Sequence, residues 1–402
     1  MNVLRKLVIA RDIDEPHRKT TPLELLFDLT FVVAVASVVR QLTHAVEVGE
    51  AGEAIGPFLM VFFSIWWAWN QFTWLASAYD TDDALYRLFT MLQMGGVLVL
   101  AAGVPMAFDS GNFAAVTIGY LILRLGLLAT LVRAIRDDPE TRATARRYAI
   151  GISIVQVGWL LRLLLPAELG MLSFLFLVIA ELAVPLWADR AAVLSWHPHH
   201  IAERYGKFTI LVLGESVLSV TIAVQEALED GLSSSLVIAS VAGLVLLFAL
   251  WWLYFSVPAA EGLENKRERY LFWNYGHYFL YAALAAVGTG IEIAVRSVTD
   301  DLESSELIVG YSLALPVALV ILLLWFLHAP MVETVSIPRS ASAVAAIMIL
   351  ALPFAAPLLG TIGVAVAITV VTVGLLVVAI LAASRRSVDM MSQGPNNDRA
   401  TS

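Results

Sequence analysis

Residues 22–39 read PLELLFDLTFVVAVASVV, an apolar run of membrane-spanning length with Asp28 set inside it. About 20 apolar residues cross the hydrocarbon core as a helix, and a carboxylate at that depth costs on the order of 3 kcal/mol even on the lenient insertion scale. A residue kept at that cost faces a cavity or a partner, so the run is both a span and a first candidate for the working part of the protein. A second run at 208–224, FTILVLGESVLSVTIAV, repeats the arrangement with Glu215.

Composition extends this reading to the whole chain. Of 402 residues 59% are hydrophobic and 15% charged, with a mean hydropathy of +0.80, far from the quarter charged that is usual in soluble domains. Twelve apolar segments follow one another, at 22–46, 55–79, 86–107, 112–135, 146–165, 167–187, 201–226, 232–256, 269–296, 305–328, 340–358 and 360–384. Their lengths suit helices, whereas a β-barrel would show alternating segments of about ten residues. The expectation is an all-α integral membrane protein with about twelve transmembrane helices, at home in the lipid bilayer.

The polar segment 1–21, with Arg5, Lys6, Arg11, Arg18 and Lys19, does not look like a cleaved secretory signal. No cysteine is present, which excludes disulfides, thiolate catalysis, cysteine zinc sites and cysteine-bound iron–sulfur clusters. The net charge of −9 is spread over loops and tails, and no basic patch invites nucleic acid. Of the 25 Lys and Arg residues, 21 fall on one set of alternate loops and the termini, while Arg40, Arg124, Arg162 and Arg296 lie in helices or at their outer ends. Short cytoplasmic loops carry the positive excess, so both termini are expected in the cytoplasm of a multi-pass inner-membrane protein.

Four regions are expected: a cytoplasmic segment 1–21, six-helix halves 22–187 and 188–384, and a disordered polar tail 385–402. At a shift of 184 residues Tyr86 falls on Tyr270, Gln93 on His277, and Leu100-Ala101-Ala102 on Leu284-Ala285-Ala286; Trp66-Trp67 meets Trp251-Trp252 with one gap. Parallel repeats account for this pattern, and so does chance similarity between Trp-rich apolar segments.

In the first span Glu24, Phe27, Asp28 and Phe31 are spaced 3, 1 and 3 apart and share one helical stripe. Glu24 lies in the first turn after Pro22, where helix capping accounts for it. Asp28 lies roughly 9 Å further in, too deep for a cap. In the seventh span Glu203 and Arg204 are expected near the cytoplasmic surface and Glu215 near mid-membrane. Gly214 would allow close helix approach, and Ser216 and Ser219 offer hydroxyls. Asn70, Gln93, Glu181 and His277 converge on a similar depth, each roughly 9 to 14 Å from its cytoplasmic end. Arg124 needs a carboxylate, and Asp28, Glu181 and Glu215 are the candidates. If these groups face one another they form a polar chamber open toward the cytoplasm.

Buried carboxylates near an arginine can link proton uptake to exchange of a substrate or ion. Asp28 and Glu215 are therefore the expected coupling groups of a secondary transporter, with Glu181, Arg124 and His277 as partners and a proton or cation plus a small molecule as cargo. A non-transporting membrane sensor or scaffold is the alternative. An intramembrane lipid enzyme is a third reading, but no nucleophile–base motif or nucleotide loop supports catalysis, and no cofactor is implied. His197, His199 and His200 read as a membrane-surface loop rather than a metal site, because proline separates the first two and no spaced acid accompanies them. The tryptophans Trp66, Trp67, Trp69, Trp74, Trp251 and Trp252 read as interfacial anchors and packing groups.

TPLELLFDLTFVVAVASV and ERYGKFTILVLGESVLSV resemble the bacterial low-temperature-requirement A family, LtrA, of multi-spanning membrane proteins, as do ELAVP, WWLYF and the histidine of the ninth span. The resemblance carries the family pattern onto Glu24, Phe27, Asp28, Phe31, His200, Glu203, Arg204, Gly206, Phe208, Gly214, Glu215 and Ser216. Tyr205 departs from a frequent Phe and adds a hydroxyl. The resemblance implies the fold type and a link to growth in the cold, and leaves mechanism and oligomeric state open.

Overall fold

The computed structural model describes residues 4–12, 15, 18–229, 231–298, 302–332 and 337–392, and every regular element among them is helical. The α-helices are α1 Pro22–Glu47, α2 Ala51–Tyr79, α3 Ala84–Ala102, α4 Val104–Asp109, α5 Ala114–Asp137, α6 Arg142–Arg162, α7 Gly170–Ala188, α8 Pro198–Glu229, α9 Ser234–Phe255, α10 Ala259–Asn265, α11 Tyr270–Arg296, α12 Glu306–His328, α13 Arg339–Ala351 and α14 Ala356–Ser392. Ten helical stretches among the described residues are long and apolar enough to cross a membrane, rather than twelve. The segment expected at 146–165 is helical as α6, but Arg142, Arg146, Arg147 and Arg162 dilute its hydropathy. Those expected at 340–358 and 360–384 join in one apolar stretch, Arg339–Arg385, interrupted where Gly360 takes a φ of 68°. Helix α14 continues into the stretch expected as tail, and 393–402 lie outside the described residues.

The chain divides into two compact units, one from the described residues of Met1–Ala45 and Glu50–Glu215, the other from those of Val46–Gly49 and Ser216–Ser402. The contact boundary falls inside α8, after Glu215.

In the first unit α2 is buried along most of its length. Helix α3 meets α5 backbone to backbone: a Cβ on Gly96 would stand 2.7 Å from the Gly119 carbonyl oxygen and 2.8 Å from the Leu123 nitrogen, so only glycine permits this approach. Helix α1 begins with a reciprocal cap. The Glu24 carboxylate accepts from the Thr21 backbone N–H at 2.8 Å, and the Thr21 hydroxyl accepts from the Glu24 N–H at 3.2 Å.

The N-terminal segment is tied down by carboxylates at helix ends. Asp83, which caps α3 by accepting from the Tyr86 N–H, also accepts from the Lys6 N–H at 2.7 Å and pairs with Arg133. Asp137 and Asp138 accept from the Val8 and Ala10 N–H groups. Arg11 donates its backbone N–H to the Ala78 carbonyl, and buried Arg18 donates to Ala76 at 2.8 Å. The loop carboxylate Asp80 sits behind this segment, 4.0 Å from Arg11.

Burial pushes the Asp80 carboxyl up to about 6, with the Glu24 charge adding to the rise and Arg18 and Arg11 opposing it. A carboxyl raised above its unfolded value stabilises the fold fully below that value and loses the contribution as pH climbs through about 6. Thermal stability of the detergent-solubilised protein is therefore expected to fall between about pH 4 and 6, by up to about 3 kcal/mol from this group. Asp80→Asn should flatten that part of the melting-temperature profile; an unchanged slope in the variant would refute the assignment.

In the second unit α11 and α12 approach as closely as α3 and α5, since a Cβ on Gly290 would lie 2.6 Å from the Ser312 carbonyl oxygen. Arg296, at the end of α11, gathers three carboxylates: Glu226 at 2.7 Å, Glu47 at 3.1 Å and Glu292 at 3.1 Å. Glu303 donates its N–H to the Glu47 carbonyl, and Ser304 donates its hydroxyl to the Val46 carbonyl.

Candidate functional site

The predicted polar groups of the first unit resolve into two buried networks on two sides of α2. Trp67 and Trp69 of that helix point about 200° apart at about 100° per residue. Trp69 Nε1 donates to Asp28 Oδ1 at 2.8 Å, and Trp67 Nε1 donates to Glu181 Oε2 at 2.9 Å. Gln71, one turn after Trp67, accepts from Arg124 on the same side.

The first network joins α1 to α8. Arg204, fully buried, pairs with Asp28 and lies 2.9 Å from Glu24 Oε1; His200, one turn earlier, places Nε2 3.1 Å from the same oxygen. The spacing of 4 on both helices, Glu24 to Asp28 and His200 to Arg204, lets two residues of one helix meet two of the other. Phe27 stacks on Phe72 with ring centroids 3.7 Å apart, Phe31 lies 4.9 Å from Phe27, and the Arg204 guanidinium sits 5.7 Å from the Phe72 centroid. Tyr205 accepts from Asn70 at 2.7 Å and from Trp74 Nε1 at 3.1 Å, so its hydroxyl is used.

The second network joins α5, α6 and α7. Arg124 lies 3.5 Å from Glu181 Oε1 and also donates to Tyr120 and Gln71. Glu181 accepts from Tyr120 at 2.7 Å and from Trp159 Nε1 at 3.2 Å as well as from Trp67. Both charged groups are about 1% exposed. Such a pair holds when hydrogen bonds satisfy the remaining lone pairs and protons.

Several sequence expectations change. Arg204, expected near the cytoplasmic end of its span, is the buried centre of the Asp28 network, while Glu203 beside it is partly exposed and paired with Lys207. His200 is fully buried against Glu24 rather than part of a surface loop. Glu24 caps its helix and also joins the ion network. Asp28 is partnered by Arg204 and Trp69, and Arg124 by Glu181, in place of a single chamber. Gly214 makes no close helix approach, because it is exposed and a Cβ there would meet nothing within 4 Å; the close approach on α8 is made by Ser216, whose hydroxyl would stand 2.6 Å from a Cβ on Gly288 of α11.

Glu215 is buried at the last position of the first unit. Gln93 is buried where α3 packs on Gly126 of α5. His277 belongs to the second unit. Its Nδ1 lies 2.7 Å from the Trp273 carbonyl oxygen, and its ring is surrounded by Trp273, Tyr281, Tyr254 and His328. His328 repeats the device, with Nδ1 2.8 Å from the Leu324 carbonyl, and was not singled out in the sequence. A carbonyl can only accept, so both rings carry a proton on Nδ1.

The tryptophans also split by role. Trp66, Trp67 and Trp69 are buried, whereas Trp251 and Trp252, their counterparts in the repeat overlay, are 44% and 51% exposed. The overlaid residues thus do different jobs. No group of three or more His, Asp or Glu residues that could hold a metal ion occurs among the described residues.

An apolar chain whose regular elements among the described residues are all helical, with ion pairs sealed between them, is a multi-pass membrane protein. The family described as bacterial low temperature requirement A protein (LtrA) matches residues 19–380, and the chain belongs to it. It is also similar to an uncharacterized protein of Rhizobium meliloti (strain 1021), 28% identical over 292 residues that span 67% of this chain and 69% of the relative. No solved structure matches.

Proposed function

We propose that this protein is a secondary transporter of the cytoplasmic membrane, not an enzyme, with both termini on the cytoplasmic side as the loop charges argue. A small-molecule substrate is driven by a proton or cation exchanged at the Glu24, Asp28, His200 and Arg204 cluster. The observation that carries this reading is the charge count: two carboxylates meet one arginine, and the fourth member is a histidine. With every carboxylate ionised and His200 neutral, the buried cluster holds one excess negative charge, which a low-dielectric site does not tolerate uncompensated. One proton, on His200 or a carboxyl, or one bound cation restores neutrality. The Arg124–Glu181 pair is balanced already and serves as a fixed support.

The test is flux of protons, Na⁺ and K⁺ in proteoliposomes under imposed gradients, comparing wild type with Asp28→Asn, His200→Gln and Glu215→Gln. Asp28→Asn leaves Glu24 and Arg204 as a balanced pair, so the variant should stay folded while flux is abolished; loss of the pH dependence in His200→Gln would assign the exchanged proton to the histidine, and its persistence would assign it to a carboxyl. Absence of flux from folded wild type under every gradient would overturn transport in favour of a membrane sensor or scaffold.

A further inference from the structure

The first network has a buried carboxyl and a buried hydroxyl beside it that neither its ion pairs nor its packing uses. The carboxyl is Asp80, which follows the last residue of α2. Its side chain is buried, while that of Arg11, 4.0 Å away, is 32% exposed, so Asp80 lies just under the surface. The charges that act on it are those of Glu24, Arg18 and Arg11. With its carboxyl pushed up to about 6 by burial, Asp80 loads and unloads a proton close to neutral pH, as a group that hands protons on must do.

The hydroxyl is that of Tyr86, in the first turn of α3. Its ring centroid lies 6.5 Å from that of Phe72, the ring that stacks on Phe27 and faces the Arg204 guanidinium. Asp80, Glu24, Arg204 and Arg18 all act electrostatically on the phenol, so it meets both the loop carboxyl and the cluster. Tyr86 is 2% exposed, and its oxygen has no hydrogen-bond partner among the described residues. The backbone N–H of Tyr86 serves the Asp83 cap and the ring serves the packing. A phenylalanine would do both without burying a polar atom that lacks a partner, so the oxygen is the part that calls for a use. A hydroxyl can accept one proton while donating another.

We propose that Asp80 and Tyr86 form the route by which a proton reaches the Glu24, Asp28, His200 and Arg204 cluster. The Asp80 acid gives its proton to the Tyr86 oxygen as the original Tyr86 O–H proton passes to Glu24, so each O–H bond broken is matched by one formed and the phenol stays neutral. Release runs the same steps in reverse. A bound water, which also accepts and donates, extends the chain on the same terms where the side chains stop short. The route rests on the transport reading in one respect, that the cluster is where the proton is held.

The experiment follows proton uptake by the full chain in detergent, in a choline buffer free of Na⁺ and K⁺, with a pH-indicating dye after an acid jump through the range around 6 in which Asp80 titrates. The phase missing from Asp28→Asn belongs to the cluster. Tyr86→Phe should slow that phase at least about tenfold, the scale of one hydrogen bond lost from the path, and should leave the number of protons taken up unchanged, which a merely structural role for the hydroxyl would not produce. Asp80→Asn should slow the same phase. A wild-type rate in Tyr86→Phe, or absence of the phase from folded wild type, overturns the route. Should Tyr86→Phe fail to fold, Asp80→Asn decides the matter, because an undiminished rate in it also overturns the route. Slowed uptake in a protein that carries no flux would keep the route and refute transport, whereas flux together with wild-type uptake in Tyr86→Phe would refute the route and keep transport.

Discussion

Arg204→Gln is expected to lower the stability of the protein by about 3–5 kcal/mol, the usual cost of breaking a buried ion pair by removing one partner. The substitution leaves Glu24 and Asp28, both fully buried, with no arginine between them. Arginine to lysine is not conservative here, because one guanidinium spans two carboxylates and lies against the Phe72 ring, which a single ammonium cannot do. Thermal unfolding in detergent, followed by the fraction remaining monodisperse, measures the loss. The triple variant Glu24→Gln, Asp28→Asn, Arg204→Gln removes the charges together and should recover more than half of it. A triple variant as unstable as the single one would show that lost packing, rather than unpaired charge, was the cause.

The second large effect is expected at Glu181. Replacing it by Leu leaves Arg124 buried without its carboxylate and strands the N–H groups of Trp67 and Trp159, at a cost again of about 3–5 kcal/mol. Arg124→Leu should cost a similar amount, because it leaves Glu181 as an unpaired buried anion held only by neutral donors. The two losses should not add. The double variant Arg124→Leu, Glu181→Leu should be more stable than either single one, since an apolar replacement of a whole pair is often neutral. Strict additivity in the same thermal assay would mean that the two groups do not act as a pair.

The two networks on the two sides of α2 differ in charge balance. Glu181 is fixed by three neutral donors and one arginine, with its charge matched. On the other side Glu24 and Asp28 share a single arginine, with His200 as the fourth group. The proposed transport function rests on that difference, and the flux comparison of Asp28→Asn with wild type addresses it directly.

Membrane character, helical class and the stripe of Glu24, Phe27, Asp28 and Phe31 were legible along the chain, because each depends on local composition or on the helical period. So was the cap at Glu24, a contact across 3 residues. The need of Arg124 for an acid followed from solvation alone, yet the choice of Glu181 among three candidates did not. Pairings such as Asp28 with Arg204, separated by 176 positions, depend on how each helix is rotated about its axis and where it crosses its neighbour. The same reason hid Trp67 and Trp69: hydropathy counts an indole as apolar surface, and only packing on two sides of α2 turned their N–H groups toward Glu181 and Asp28. Local chemistry thus dictated that this chain enters a membrane as helices carrying costly charges, whereas helix packing decided which charges meet.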